Sequence, residues 1–197
     1  MTCDHKEIGR IQGRQLSALL PRGGSVLYIT GPSENLASNQ RSAGIHETKS
    51  PHLRVQVMKG RWTEDSAYRA VNSWLQLSTS QHSDLNLIAA QNDAMAMGAR
   101  KAFQEMTAGA ARDRWLSLPF IGSDGVPGAG QAWVESGLLT ATVVMPVNAG
   151  QALKLLVKAF RTATMPPERI LTLPVSFPSL AALRPAYRGK EPTLAAS

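Results

Sequence analysis

Five short segments hold the side chains best suited to recognising a ligand: Gly31-Pro32-Ser33, Lys59-Gly60-Arg61-Trp62, Gln91-Asn92-Asp93, Asp124-Gly125-Val126-Pro127 and Met145-Pro146-Val147-Asn148. They pool amides, carboxylates and a guanidinium with one large aromatic, Trp62. An amide offers donor and acceptor together, a carboxylate only accepts, and a guanidinium donates through a planar fork. That mixture suits a neutral polyhydroxylated ligand better than a phosphate or a hydrophobe.

The residues needed for bond-breaking chemistry do not assemble in the same way. Nucleophilic catalysis needs a Ser, Cys or Thr beside a base, and no G-x-S-x-G elbow occurs. His5, His46, His52 and His82 read as surface histidines, with only His5 placed where it could approach the five segments. No His, Cys or carboxylate cluster has metal-ligand spacing, so neither a metal nor a cofactor is expected. The GVPGAG run at 125–130 resembles a dinucleotide fingerprint only loosely, because Trp133 stands where the third glycine would allow close helix–strand packing. A phosphate-cradling P-loop is missing too, and the expectation is a binding protein rather than an enzyme.

The elements that must position these segments follow from periodicity. Apolar runs of strand length, at 25–30, 54–58, 85–90, 118–123, 139–145 and 170–176, alternate with stretches of helix length at 6–20, 34–48, 63–79, 93–107, 128–136 and 148–163. The first helix, with Glu7, Arg10 and Arg14 on one side and Ile8, Ile11 and Leu19 on another, reads as a surface helix with one buried stripe. Continuous rather than alternating hydrophobicity in the strands means that both sheet faces are covered, which predicts an α/β fold with a doubly wound parallel sheet. Ligands bind at the carboxyl ends of such strands, and the five segments all follow strand candidates.

Composition narrows the remaining classes. The chain has 197 residues, 43% hydrophobic and 18% charged, enough to bury one sizeable core. No apolar run approaches the ~20 residues of a membrane-spanning helix, and the single cysteine, Cys3, forms no intrachain disulfide. The net charge is +7, but residues 1–150 hold 14 Lys/Arg against 12 Asp/Glu, and the excess sits in 151–197 with 7 against 2. Lys154, Lys158, Arg161, Arg184, Arg188 and Lys190 are dispersed there, with Tyr187 the one tyrosine, so a solvated basic end is expected rather than a nucleic-acid surface. Met1 to Arg14 lacks the cationic and apolar regions of a signal peptide, which leaves either a cytoplasmic chain or a missing leader.

In this order of elements, SNQRSAGI at 38–45, LIAAQNDAMAMGA at 87–99, FIGSDG at 120–125 and GLLTATVV at 137–144 resemble the type I periplasmic sugar-binding family. That ribose-binding-like family shares its fold with lactose-repressor-type effector domains. The resemblance covers about residues 3–177 and implies two lobes facing a cleft, with the chain crossing between them three times. Cys3-Asp4, Pro146-Val147 and the 173–177 region look like those crossings. Residues 5–145 would then be a complete sugar-binding lobe, 146–177 a remnant of the other lobe and the last crossing, and 178–197 a basic polar tail. The opening strands of the first lobe are absent from this arrangement, and a full member would carry its leader before them.

By the same resemblance Arg41, Trp62 and Asn92 match the family's sugar contacts; Asp124, after a buried strand and before Gly125, is expected to accept two hydroxyl hydrogen bonds, while Asp93 is expected to cap the helix that starts beside it. Three of them have a structural alternative: an exposed helix arginine for Arg41, a core or interface tryptophan for Trp62, and a loop or N-cap aspartate for Asp124. The family's glutamine at the second crossing is replaced by the stretch Val144-Met145-Pro146-Val147, for which Asn148 or Gln151 could substitute. The implied function is the sugar-recognition component of an ABC importer, periplasmic in its full-length parent and working with permease subunits. The alternative is the effector-sensing domain of a repressor-type regulator. An apolar segment at 147–177 without its sheet is expected to favour association between copies.

Overall fold

The computed structural model describes residues 1–81 and 83–185; His82 and the tail from 186, with Tyr187, Arg188 and Lys190, lie outside them. Eight strands and eight α-helices follow one another along the described residues, alternating except where α3 meets α4, α5 meets α6 and β7 meets β8. The central sheet has the order β3-β2-β4-β5 and is parallel throughout, built from β2 (Gly24–Thr30), β3 (Leu53–Lys59), β4 (Leu85–Ala90) and β5 (Phe120–Ile121). Bridges from Ile121 to Ala141 and from Asp124 to Val144 carry it on to β6 (Thr142–Val144). There β8 (Val175–Phe177) adds an antiparallel edge that the all-parallel expectation did not include.

Alternate residues of β2 and β4 feed two cores. Leu27, Ile29, Ile88 and Ala90 meet α3 (Glu64–Leu75) and α5 (Asp93–Met106) through Val71, Trp74, Met95 and Phe103. Val26, Tyr28, Leu87 and Ala89 meet α1 (His5–Leu19) and α2 (Leu36–Thr48) through Leu16, Leu19 and Ile45. Both faces of β2 and β4 are therefore dry, as continuous apolar runs require, while the edge strand β3 leaves Arg54, Gln56, Val57 and Lys59 exposed.

Helix α1 is more deeply buried than one apolar stripe suggests. Gln12 and Gln15 are wholly inside: Gln12 Nε2 donates to the carbonyls of Ala90 and Gly122, and Gln15 Nε2 to the carbonyl of Thr142 and the Ser176 hydroxyl. These amides hold together the end of the sheet where short strands leave backbone acceptors open. Against α2 the approach is backbone to backbone. A Cβ at Gly9 would strike the carbonyl of Arg41, and one at Gly44 that of Lys6, so glycine at both fixes the depth of Arg41.

Several boundaries differ from expectation for local reasons. The strand read at 170–176 is two, β7 (Leu171–Thr172) and β8, separated by Pro174, which cannot donate to a ladder. The strand at 118–123 shrinks to β5. The helix at 63–79 stops at Leu75, with a short α4 (Ser78–Gln81) beyond, and the one at 128–136 is a π-turn, Pro127–Gln131, running into α7 (Ala132–Glu135). Gly128 and Gly130 weaken regular helix there. A short α6 (Gly109–Leu116) was not expected, and it buries only Trp115.

Beyond β6 the packing changes character. Helix α8 (Ala149–Thr162) has no buried residue, and Leu153, Leu156, Val157 and Phe160 are exposed. Strand β7 pairs in parallel with β1 (Thr2–Cys3) as a separate two-stranded sheet. Among the described residues no helix is long and apolar enough to cross a membrane.

Candidate functional site

Because β2, β4 and β5 run parallel, the segments after them open on the same edge, and α2 delivers Arg41 to it. The inward face of α2 is Ser38, Arg41, Gly44 and Ile45, at helical spacing. Arg41 is 4% exposed. Its Nη1 donates to the carbonyl of Gln91 and to the Ser123 hydroxyl, the latter at 2.9 Å. Its Nη2 has only long partners: His5 Nδ1 at 3.5 Å, Met145 Sδ at 3.4 Å and Asp124 Oδ1 at 4.0 Å. Its Nε is buried without an acceptor. Burial pulls the guanidinium below its ordinary range, against the pull of Asp124 in the other direction. His5, the one histidine placed where it could approach the segments, thus lies at the site, and burial together with Arg41 lowers its pKa.

Trp62 lies beneath the guanidinium, with Arg41 Cζ 5.3 Å from its ring centroid. Its ring also rests on Gly31, where any Cβ would collide with it. Trp62 has φ 67° and Asp124 φ 122°, both left-handed conformations unusual for residues with side chains. Of the three such non-glycine residues among those described, two are therefore in this cluster, where backbone strain persists only if the surroundings enforce it.

At the start of α5 the helix cap expected of Asp93 falls to its neighbour. Asn92, not Asp93, is the N-cap, its Oδ1 accepting from the Met95 N–H at 2.8 Å while Nδ2 donates to the Trp62 carbonyl at 2.9 Å. Asp93 is 3% exposed and accepts instead from the Gly125 N–H at 2.8 Å and the Thr142 hydroxyl at 2.7 Å. Both are good cap types, and the extended backbone of Asn92 decides between them. Asn92 keeps its second amide hydrogen for another acceptor.

The structure brings Arg41, Trp62, Asn92 and Asp124 to one edge. It also adds Gln91, whose amide receives the Gly31 N–H and donates to the Ser38 carbonyl and Ser42 hydroxyl. Its place directly after an apolar strand was the available signal. Gln151 is exposed on α8, and Asn148 is half-buried with Oδ1 unpartnered.

Asp124 is the titratable centre of this edge. Burial pushes its carboxyl up to about 6; Arg41 acts against that, and Asp93 adds to it. Since the folded value exceeds the ordinary 3.8, the folded chain holds this proton more tightly. The resulting stability is complete below ~4 and is lost as pH rises to ~6. Melting curves should therefore show wild type losing stability relative to Asp124→Asn across that interval, whereas parallel pH profiles for the two would refute the assignment.

Comparison with known proteins extends this picture. Residues 1–161 match the periplasmic binding protein domain family. The chain is 30% identical to the ribose import binding protein of Salmonella typhimurium over 135 residues, 68% of this chain and 42% of that protein. It therefore spans less than half the length of that relative. Its fold superposes on the fructose-binding periplasmic domain of a hybrid two-component system with TM-score 0.74 and 26% identity, over 88% of this chain and 56% of the other. It likewise superposes on the Caulobacter myo-inositol binding protein with TM-score 0.72 and 23% identity, over 88% and 58%. These relatives carry names of binding proteins rather than enzymes. With one parallel sheet wrapped on both faces and four-fifths of its length inside the family pattern, the chain belongs to the type I periplasmic binding proteins.

Proposed function

We propose that this chain recognises a monosaccharide-like polyol at the carboxyl edge of its sheet, as the solute-recognition part of an ABC importer, without turning it over. One observation carries the reading: a buried guanidinium with weakly engaged Nη2 donors meets a carboxylate and a tryptophan, the last two held in strained backbone. Arg41 and Asp124 supply donor and acceptor to neighbouring hydroxyls, Asn92 supplies its remaining amide hydrogen, and Trp62 offers an apolar face to the C–H side of a sugar ring. The ribose, fructose and inositol binders among its relatives point to the same ligand class.

In this reading residues 5–145 act as one sugar-binding lobe and 146–177 belong to the other, with permease subunits as partners and the periplasm as the place of work. The four residues form one wall, so affinity should be about 0.1 mM or weaker, since tight sugar binding requires most of the ligand surface to be enclosed. The exposed apolar side of α8 would meet its counterpart in a second copy. Calorimetric and thermal-shift screening of pentoses, hexoses and polyols tests the function: saturable stabilisation by at least one is expected, and a well-folded chain indifferent to all of them would refute it.

A further inference from the structure

We infer that Asp93 is a positioning residue, a buried carboxylate whose task is to hold Asp124 in the strained backbone that aims it at the ligand. The inference rests on the sugar-binding reading above for its purpose, but its geometry stands alone. Asp93 opens α5, and its own N–H donates to the Ser123 carbonyl at 2.7 Å. One of its carboxylate oxygens takes the Gly125 N–H and the other the Thr142 hydroxyl, so a single side chain ties α5 to the loop after β5 and to β6.

Asp124 is enclosed by these contacts. Its N–H donates to the Val143 carbonyl at 2.9 Å, its carbonyl accepts from Met145 N–H at 3.1 Å, and the next N–H, at Gly125, is the one Asp93 takes. The Gly125 carbonyl is held in turn by Gln131 Nε2 at 2.7 Å. Gly125 itself has φ 61°, and a Cβ there would strike Val144, so the peptide has no room to relax. Fixing φ at 122° in a residue with a side chain needs this over-determination.

A carboxylate is the group the position requires. Both partners donate here, and a carboxylate accepts from both with its charge, whereas an asparagine would offer the Gly125 N–H only a neutral oxygen and force the Thr142 hydroxyl to turn and accept from its N–H₂. The helix N-terminus favours the negative charge. Gly122 and Gly130 pack against the carboxylate closely enough that a Cβ on either would collide with it, which leaves no space for a longer side chain.

NMR on the full chain tests this. In wild type the Gly125 amide should exchange as slowly as those of β2 and β4 and resonate downfield, and Asp124 should show the coupling of a positive φ. In Asp93→Asn the Gly125 signal should move upfield, the Asp124 coupling should change, and affinity for D-ribose, read by titration, should fall about tenfold or more. Thr142→Val, which removes one partner but leaves the Gly125 bond, should alter the melting temperature while keeping affinity within about threefold. Unchanged Gly125 and Asp124 signals in folded Asp93→Asn would overturn the inference, as would equal affinity losses in both variants. Rapid Gly125 exchange in wild type would overturn it even if Asp93→Asn does not fold. Should wild type not bind D-ribose, the amide and coupling data still decide the role of Asp93, and the functional reading stands or falls separately on the wider screen of pentoses, hexoses and polyols.

Discussion

Replacing Arg41 by methionine is expected to leave the fold standing, with a melting temperature equal to or above that of wild type, and to weaken sugar binding by about a hundredfold or more. The two halves of this result have one cause. The guanidinium is almost wholly buried, its Nε has no acceptor, and burial is the largest influence on its titration. A buried charge satisfied this incompletely is costly, and an apolar side chain of similar volume often replaces it at no loss or with a gain. Ser123 would still donate to the Gln91 carbonyl at 2.6 Å, so Arg41 leaves no open acceptor behind on that side.

What disappears is the pair of Nη2 donors. Truncating a buried hydrogen-bonding charge that meets a ligand costs ~2–5 kcal/mol of binding, hence the hundredfold scale. Lysine at this position keeps the charge but not the fork and should recover only part of the affinity. Removing Arg41 should also push the Asp124 carboxyl further up, because the cation is what holds it down. Binding lost only in proportion to a collapse of the fold would identify Arg41 as a structural residue and refute this account.

The second large effect contrasts two phenylalanines. Phe103 is fully buried against Trp74, Trp115 and Phe120, with ring centroids 6.4, 5.0 and 6.2 Å away. Phe103→Ala removes these contacts and leaves a cavity in the larger core, a loss of about 4 kcal/mol. Phe160 on α8 is 88% exposed, and Phe160→Ala should change the stability of the monomer by less than ~0.5 kcal/mol. Its effect should appear in sedimentation instead, as reduced self-association, because the variant shrinks the apolar stripe of α8. Chemical denaturation separates the two: comparable losses would mean that α8 packs on the lobe, contrary to the structure.

Sequence pattern carried the fold a long way for one physical reason: strands covered on both faces have nowhere to put polar residues. The apolar run at 85–90 therefore coincides with β4, and that at 25–30 misses only the first residue of β2; the run at 54–58 falls one residue inside both ends of β3, an edge strand that does expose Arg54 and Gln56. The convergence of Arg41, Trp62, Asn92 and Asp124 followed from the parallel order and from family motifs rather than from their chemistry alone. That Asn92 and not Asp93 caps α5 was hidden because both types cap helices, while the partners of Asp93 lie 32 and 49 residues further along the chain. The inward face of α2 is small and polar apart from Ile45, so apolar periodicity gave no sign that Arg41 points in. The left-handed backbone of a bulky Trp62 runs against its intrinsic preference and is imposed by tertiary contacts, which local sequence does not reveal.

The most direct test of the central claim is chemical-shift mapping of backbone amides during titration with D-ribose, which registers even millimolar binding. Saturable shifts confined to Gly31, Trp62, Gln91 to Asp93 and Asp124 to Gly125, and absent in Arg41→Met, are the result expected. Saturable shifts at the opposite edge of the sheet, or the same shifts persisting in Arg41→Met, would contradict it.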